Sequence, residues 1–200
     1  PDNEEIRRTT FDLYKDNLKR GYLHYEGMLH PNTYLAVTNA AVLTKHTEWA
    51  EFFIENYKKD ILGENETRDL YRLNKAIYLF GIGQYEACLD FIPATSPFLD
   101  YLIHGKRLEL KALYELNSDL FPYRLDAFKM FLSRTSPKLL PDLIRKLNVE
   151  FVNLLSQLAS SAPGDEKRAE RMIRRVHAKK RVFEWRWLFE KATSLASRKD

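Results

Sequence analysis

The chain has 200 residues, 44% of them apolar and 30% charged, a globular balance that excludes a disordered or low-complexity polymer. The lone cysteine, Cys88, excludes an internal disulfide and fits a reducing compartment. The net charge of +4 is uneven: residues 1–162 carry 20 Lys/Arg against 22 Asp/Glu, whereas residues 163–200 carry 12 against 6. No apolar run approaches the ~20 residues of a bilayer-crossing helix. No charged-then-apolar leader opens the chain either, so a cytoplasmic location is expected. It begins at Pro1 rather than Met, as a piece of a longer protein would.

Taken in order, nearly every segment has helical periodicity, and no strand of convincing length is found. Residues 4–26 carry Ile6, Phe11, Leu13, Tyr14, Leu18, Tyr22 and Tyr25 at helical spacings. Pro31 and Asn32 open a second helix over 32–45, as starter and cap. Thr47 is placed to cap a third, with an aromatic face of Trp49, Phe52, Phe53 and Tyr57, stopped by Gly63. Thr67 precedes a long helix that Gly81 and Gly83 end, and a short helix from Tyr85 follows, halted by Pro93. Further helices are expected over 98–117, 120–132 and 140–160, the last opened by Pro141 and carrying Leu143 and Leu147. Ser160-Ser161-Ala162-Pro163-Gly164 reads as a linker to a basic helix over 165–178 and an aromatic one over 181–196. About ten helices are expected.

Ala40, Ala76 and Ala112 stand 36 residues apart, and Trp49, Tyr85 and Phe121 keep the same interval. A fixed period of this length marks stacked two-helix units, with small residues where helices cross. An irregular helical bundle is the competing architecture. The stretch from Ala76 to Leu89 resembles a tetratricopeptide repeat: Ala76 and Leu79 stand at its first-helix positions and Gly83 at its turn. Tyr85 takes its aromatic position, and Cys88 takes one usually held by Ala. A 36-residue shift puts Thr47 and Asp119 at the turn of the flanking units and Phe52 at the small-residue position. The family's own period is about 34 residues. The chain also resembles uncharacterised bacterial helical-repeat proteins ending in a segment like Phe183-Glu-Trp185-Arg-Trp187-Leu188. The resemblance implies an all-α, right-handed α-solenoid. Residues 1–162 would form the array, with units about 32–62, 66–93 and 98–135, and residues 163–200 a basic and aromatic capping pair.

Little chemistry is legible. The five histidines make no HxxxH or HExxH pair, so structural roles are expected for them, and Cys88 has no second cysteine for zinc. Gly81-Ile-Gly83 lacks the strand, the third glycine and the Lys-Ser/Thr pair of a phosphate loop. No enzyme activity, cofactor or metal is expected. The tetratricopeptide resemblance implies recognition of a protein or peptide in a groove lined by first helices. Its positions here are Tyr34, Val37, Thr38, Ala41 and Lys45, then Leu70, Leu73, Asn74, Ile77 and Phe80, then Lys106, Glu109, Leu113 and Asn117. An alternative is nucleic-acid binding through Arg171, Arg174, Arg175, Lys179 and Lys180 beside Trp185 and Trp187, with cations for phosphates and rings for bases. A solvated outer face on a capping helix competes with it.

Overall fold

Helix follows helix because apolar residues recur every three or four positions and Gly, Pro or Asn stands at the breaks. The computed structural model describes residues 4–61, 64–161, 164–179 and 181–195, and the described residues form ten α-helices and one small hairpin. No helix among them is long and apolar enough to cross a membrane. Gly63, the expected stop of the third helix, lies outside the described residues, as do Ala162, Pro163 and Lys180.

The chain divides into two compact units, Pro1–Ser118 and Asp119–Asp200. The sequence places the division at residue 162 instead, and the expected third repeat, 98–135, is split between the units. Ser160–Gly164 lies inside the second unit.

The first unit comprises α1 (Glu4–Lys19), β1 (His24–Tyr25), β2 (Met28–Leu29), α2 (Pro31–Leu43) and α3 (Thr47–Tyr57) with a 3₁₀ turn at Lys58–Asp60. It continues with α4 (Glu64–Gly81), α5 (Tyr85–Phe91) and α6 (Leu99–Glu115). The helix expected over 4–26 therefore ends at Lys19. Gly21 turns the chain with φ 75°, and Glu26 and Gly27 both take positive φ, as a two-residue I′ hairpin turn requires. Leu29, fully buried, bridges to Ile61 and ties the hairpin down. His30, not Asn32, caps α2: its Nδ1 accepts from the Asn32 N–H at 3.2 Å, and Pro31 stands in the first turn. Thr47 and Thr67 fall within helices rather than before them.

Helices α1, α2, α4 and α6 end alike. A left-handed residue follows each (Gly21, Lys45, Gly83, Asn117), and the next N–H reaches back five residues. Those bonds run from Tyr22 to the Asn17 carbonyl, His46 to Ala41, Gln84 to Leu79 and Ser118 to Leu113, at 2.9–3.0 Å. Lys45, Gly83 and Asn117 thus take the turn position that the 36-residue register assigns to Thr47, Gly83 and Asp119. Their spacings are 38 and 34 residues, so the alanines do not share one register. Ala40 and Ala112 stand five residues before the turn residue and Ala76 stands seven before it, level with Thr38 and Leu110.

Helix α2 packs on α1, α3 and α4, and α4 also packs on α3, α5 and α6. Gly81 lets α4 approach α2 closely, because a Cβ there would overlap Val42. An aromatic run fills the core: Phe11 stacks on His46 at 4.2 Å, Trp49 on Phe53 at 5.4 Å, and Phe53 meets Tyr34 at 5.0 Å. Phe52 departs from the expected aromatic face and is exposed.

The second unit comprises α7 (Phe121–Arg134), α8 (Asp142–Ala159), α9 (Glu166–Ala178) and α10 (Trp185–Ser194), with α8 packed on the other three. Pro122 sits in the first turn of α7, and Pro141 stands immediately before α8 without a side-chain capping bond. The Arg145 guanidinium donates to the carbonyls of Leu132, Thr135 and Leu140 and so closes the C-terminal end of α7. Leu143, in the first turn of α8, is exposed.

Candidate binding surfaces

The predicted groove of the first unit splits by burial. Tyr34, Thr38 and Asn74 are fully buried, as are Val37, Ala41, Leu70 and Leu73. These residues are core rather than groove lining. The Tyr34 hydroxyl donates to the Ile54 carbonyl at 2.7 Å, so its ring points across to α3. The Asn74 amide donates to Leu70 of its own helix at 2.7 Å. Lys45 and Asn117 are exposed, and Phe80, Lys106 and Glu109 are half-buried. The Phe80 ring lies between Tyr85 at 5.2 Å and the Lys111 ammonium at 4.5 Å.

A polar cluster that sequence reasoning missed joins α3 to α4. The Lys75 ammonium donates to Glu51 Oε1 at 3.1 Å and Glu55 Oε1 at 3.0 Å. Tyr78 donates to Glu51 Oε2 at 2.9 Å and Tyr71 to Glu55 Oε1 at 3.0 Å. Donation from Lys75 and then Tyr78 holds the Glu51 carboxyl below its usual range. Burial pushes Glu55 up, but donors Lys58, Lys75 and Tyr71 outweigh it and leave it lowered. Burial likewise lowers Lys75, and the two carboxylates reverse the effect and raise it. Each of these groups moves away from neutrality, which makes a clamp between helices rather than a proton-transfer site. The signal was Glu51 and Glu55 at i,i+4 facing Tyr71, Lys75 and Tyr78, also at helical spacing.

On the second unit, α9 carries its basic residues outward. Arg171, Arg174, Arg175 and Lys179 are exposed, while Ala169, Met172 and Val176 are buried. Arg174 lies 3.9 Å from Glu170, and Lys179 lies 2.8 Å from Glu150. The tryptophans do not offer free faces beside them. Trp185 donates its N–H to the Val176 carbonyl at 2.8 Å and stacks on Phe189 at 5.2 Å, and Trp187 is 9% exposed. Val182, Leu188 and Ala192 are buried with it, and Trp185 and Phe189 are half-buried. Two clefts open along the α8–α9 seam. One, of about 250 Å³, is lined by Gln157, Arg168, Arg171, Met172 and Arg175. The other, of about 480 Å³, has Leu143 and Leu147 beside Lys146, Glu150 and His177.

The remaining reactive residue types have packing roles. His30 is a cap, His46 a stacking partner, and His177 lies 6.5 Å from the Phe189 ring. Cys88 is fully buried, and burial pushes its thiol up to about 12, so it stays protonated and unreactive. Among the described residues no group of three or more His, Cys, Asp or Glu could hold a metal ion. No family model, curated protein or solved structure matches the chain.

Proposed function

We propose that the first unit is a protein-binding scaffold, a short right-handed solenoid of tetratricopeptide-like hairpins that acts by recognition. The observation that carries this reading is the common helix ending at Lys45, Gly83 and Asn117, combined with direct packing of α2 on α4 and α4 on α6. Repeated hairpins that bury each other's flanks leave a row of first-helix side chains available to a partner. With Tyr34, Thr38 and Asn74 in the core, the contact residues are Lys45, Phe80, Lys106, Glu109 and Asn117. That set mixes one aromatic ring with charges of both signs and suits a peptide of mixed polarity. No group is tuned toward neutral pH for acid–base chemistry among those with shifted proton affinity. The protein would work in the cytoplasm.

Affinity capture tests this reading. Lys45→Glu with Lys106→Glu should abolish retention of a partner that Arg171→Gln leaves intact. Retention unaffected by the double change would overturn the assignment. Nucleic-acid binding remains the second reading, favoured by the exposed Arg171, Arg174, Arg175 and Lys179, and its test is capture on oligonucleotide that is lost on neutralising them.

A further inference from the structure

We propose that the cleft between α8 and α9 is a binding site for a doubly charged phosphate monoester, gripped by Arg168, Arg171 and Arg175. This site is independent of the scaffold reading of the first unit.

The three arginines recur at i, i+3 and i+7 and so share one face of α9. Two of them are held by neutral groups. Arg168 Nε donates to Ser161 Oγ at 2.8 Å and its Nη2 to Ser160 Oγ at 3.1 Å. Both serine hydroxyls donate to the Gln157 carbonyl, at 2.6 and 3.2 Å, so they serve Arg168 only as acceptors. The Arg175 guanidinium donates to the Gln157 side-chain oxygen. Among the described residues no carboxylate lies within 4.0 Å of any of the three guanidinium groups. Three nearby acids are engaged elsewhere: Glu170 faces Arg174, Glu150 faces Lys179, and Asp165 accepts from the Arg168 backbone N–H at 2.9 Å, while Glu166 in the first turn of α9 lies beyond ion-pair distance of the three arginines.

Three like charges held together with no carboxylate partner among the described residues repel one another, so the cleft favours an anion that can bridge them. Arg168 and Arg175 are already oriented by Ser160, Ser161 and Gln157, which reduces the ordering cost of binding. Arg171 stands between them with donors to spare. Guanidinium forks match tetrahedral phosphate oxygens two at a time. A volume of about 250 Å³ admits a phosphate group and a small substituent. An extended nucleic-acid strand also needs stacking platforms, and Trp185 and Trp187 are committed to packing. A monoester dianion therefore fits better than a chain of phosphodiesters.

The test is calorimetric titration of the whole chain with inorganic phosphate, a phosphoserine peptide and a single-stranded oligonucleotide, at constant ionic strength. Saturable binding of inorganic phosphate is expected to weaken about tenfold in Arg171→Gln, the loss of one charge-assisted contact. Arg174→Gln, outside the cleft, should leave it unchanged. Affinity for the phosphoserine peptide should rise between pH 5 and 8 as its second phosphate proton leaves, near pH 6. Peptide binding tighter than inorganic phosphate marks a protein-borne phosphate as the source, and equal or weaker binding marks a small phosphorylated molecule. Either result supports the site. Equal losses in Arg171→Gln and Arg174→Gln, or binding only to oligonucleotide, would overturn it, and so would no saturable phosphate binding.

Discussion

Gly81, at the end of α4, lies directly against Val42 of α2, with no room for a methyl group between them. The contact sets how closely α2 and α4 approach, and a β-branched neighbour cannot rotate aside easily. Gly81→Ala gains about 1 kcal/mol of helix propensity but overpacks the crossing by about 1–3 kcal/mol. The expected outcome is a net loss of about 1 kcal/mol in urea unfolding, restored when Val42→Ala is added.

The buried groups around α2 make opposite predictions. Tyr34→Phe removes the bond to the Ile54 carbonyl and leaves that acceptor buried, so it should cost about 1–2 kcal/mol. The Thr38 hydroxyl is equally buried but has no partner among the described residues. Thr38→Val should therefore be neutral or stabilising. Thermal unfolding of the two variants separates these outcomes.

The Glu51–Lys75–Glu55 cluster predicts acid sensitivity. Both carboxyls sit below their usual value of about 4.5 when folded, so their contribution is present above that pH and is lost as pH falls through the lowered values. Lys75→Met keeps the buried stem but leaves two carboxylates facing each other. It should destabilise the first unit by about 1–2 kcal/mol at pH 7. The deficit should shrink as pH falls and the two acids take up protons. Urea midpoints at pH 7 and pH 3.5 give the comparison.

At the shared helix ends, Lys45 adopts φ 65°, a conformation that costs a side-chain-bearing residue about 1 kcal/mol. Lys45→Gly should raise stability by about 0.5–1 kcal/mol, and Gly83→Ala should lower it by about the same amount. Changes of the same sign in the two variants would contradict the left-handed role of both positions.

Helix existence and most helix ends were legible because periodicity, Pro31, Gly83, Pro93, Pro122 and Pro141 all act locally. The α1 end was not, since Tyr22 and Tyr25 continue the apolar spacing and only Gly21 marks the break. The alanine period was half informative. Ala40 and Ala112 do share a register, but Ala76 is displaced by two residues, because Lys45 and Asn117 do the work that Gly83 does in the middle turn. Asn takes the left-handed conformation readily, whereas Lys gives no signal for it. The groove set failed where it assumed that first-helix polar residues face out. Tyr34 and Asn74 bond to backbone carbonyls, and a sequence does not say which carbonyl is in reach. The arginine face of α9 was visible from spacing alone, but its neutral supports, Ser160, Ser161 and Gln157, come from across the seam.

Helices α2 and α4 touch directly, and nuclear Overhauser contacts between the Val42 methyls and the Gly81 α-protons measure this most simply. A strong cross-peak between them is predicted in the folded chain. Its absence, with Val42 methyls instead reporting solvent exposure or a different helix, would contradict the stacking of α2 on α4.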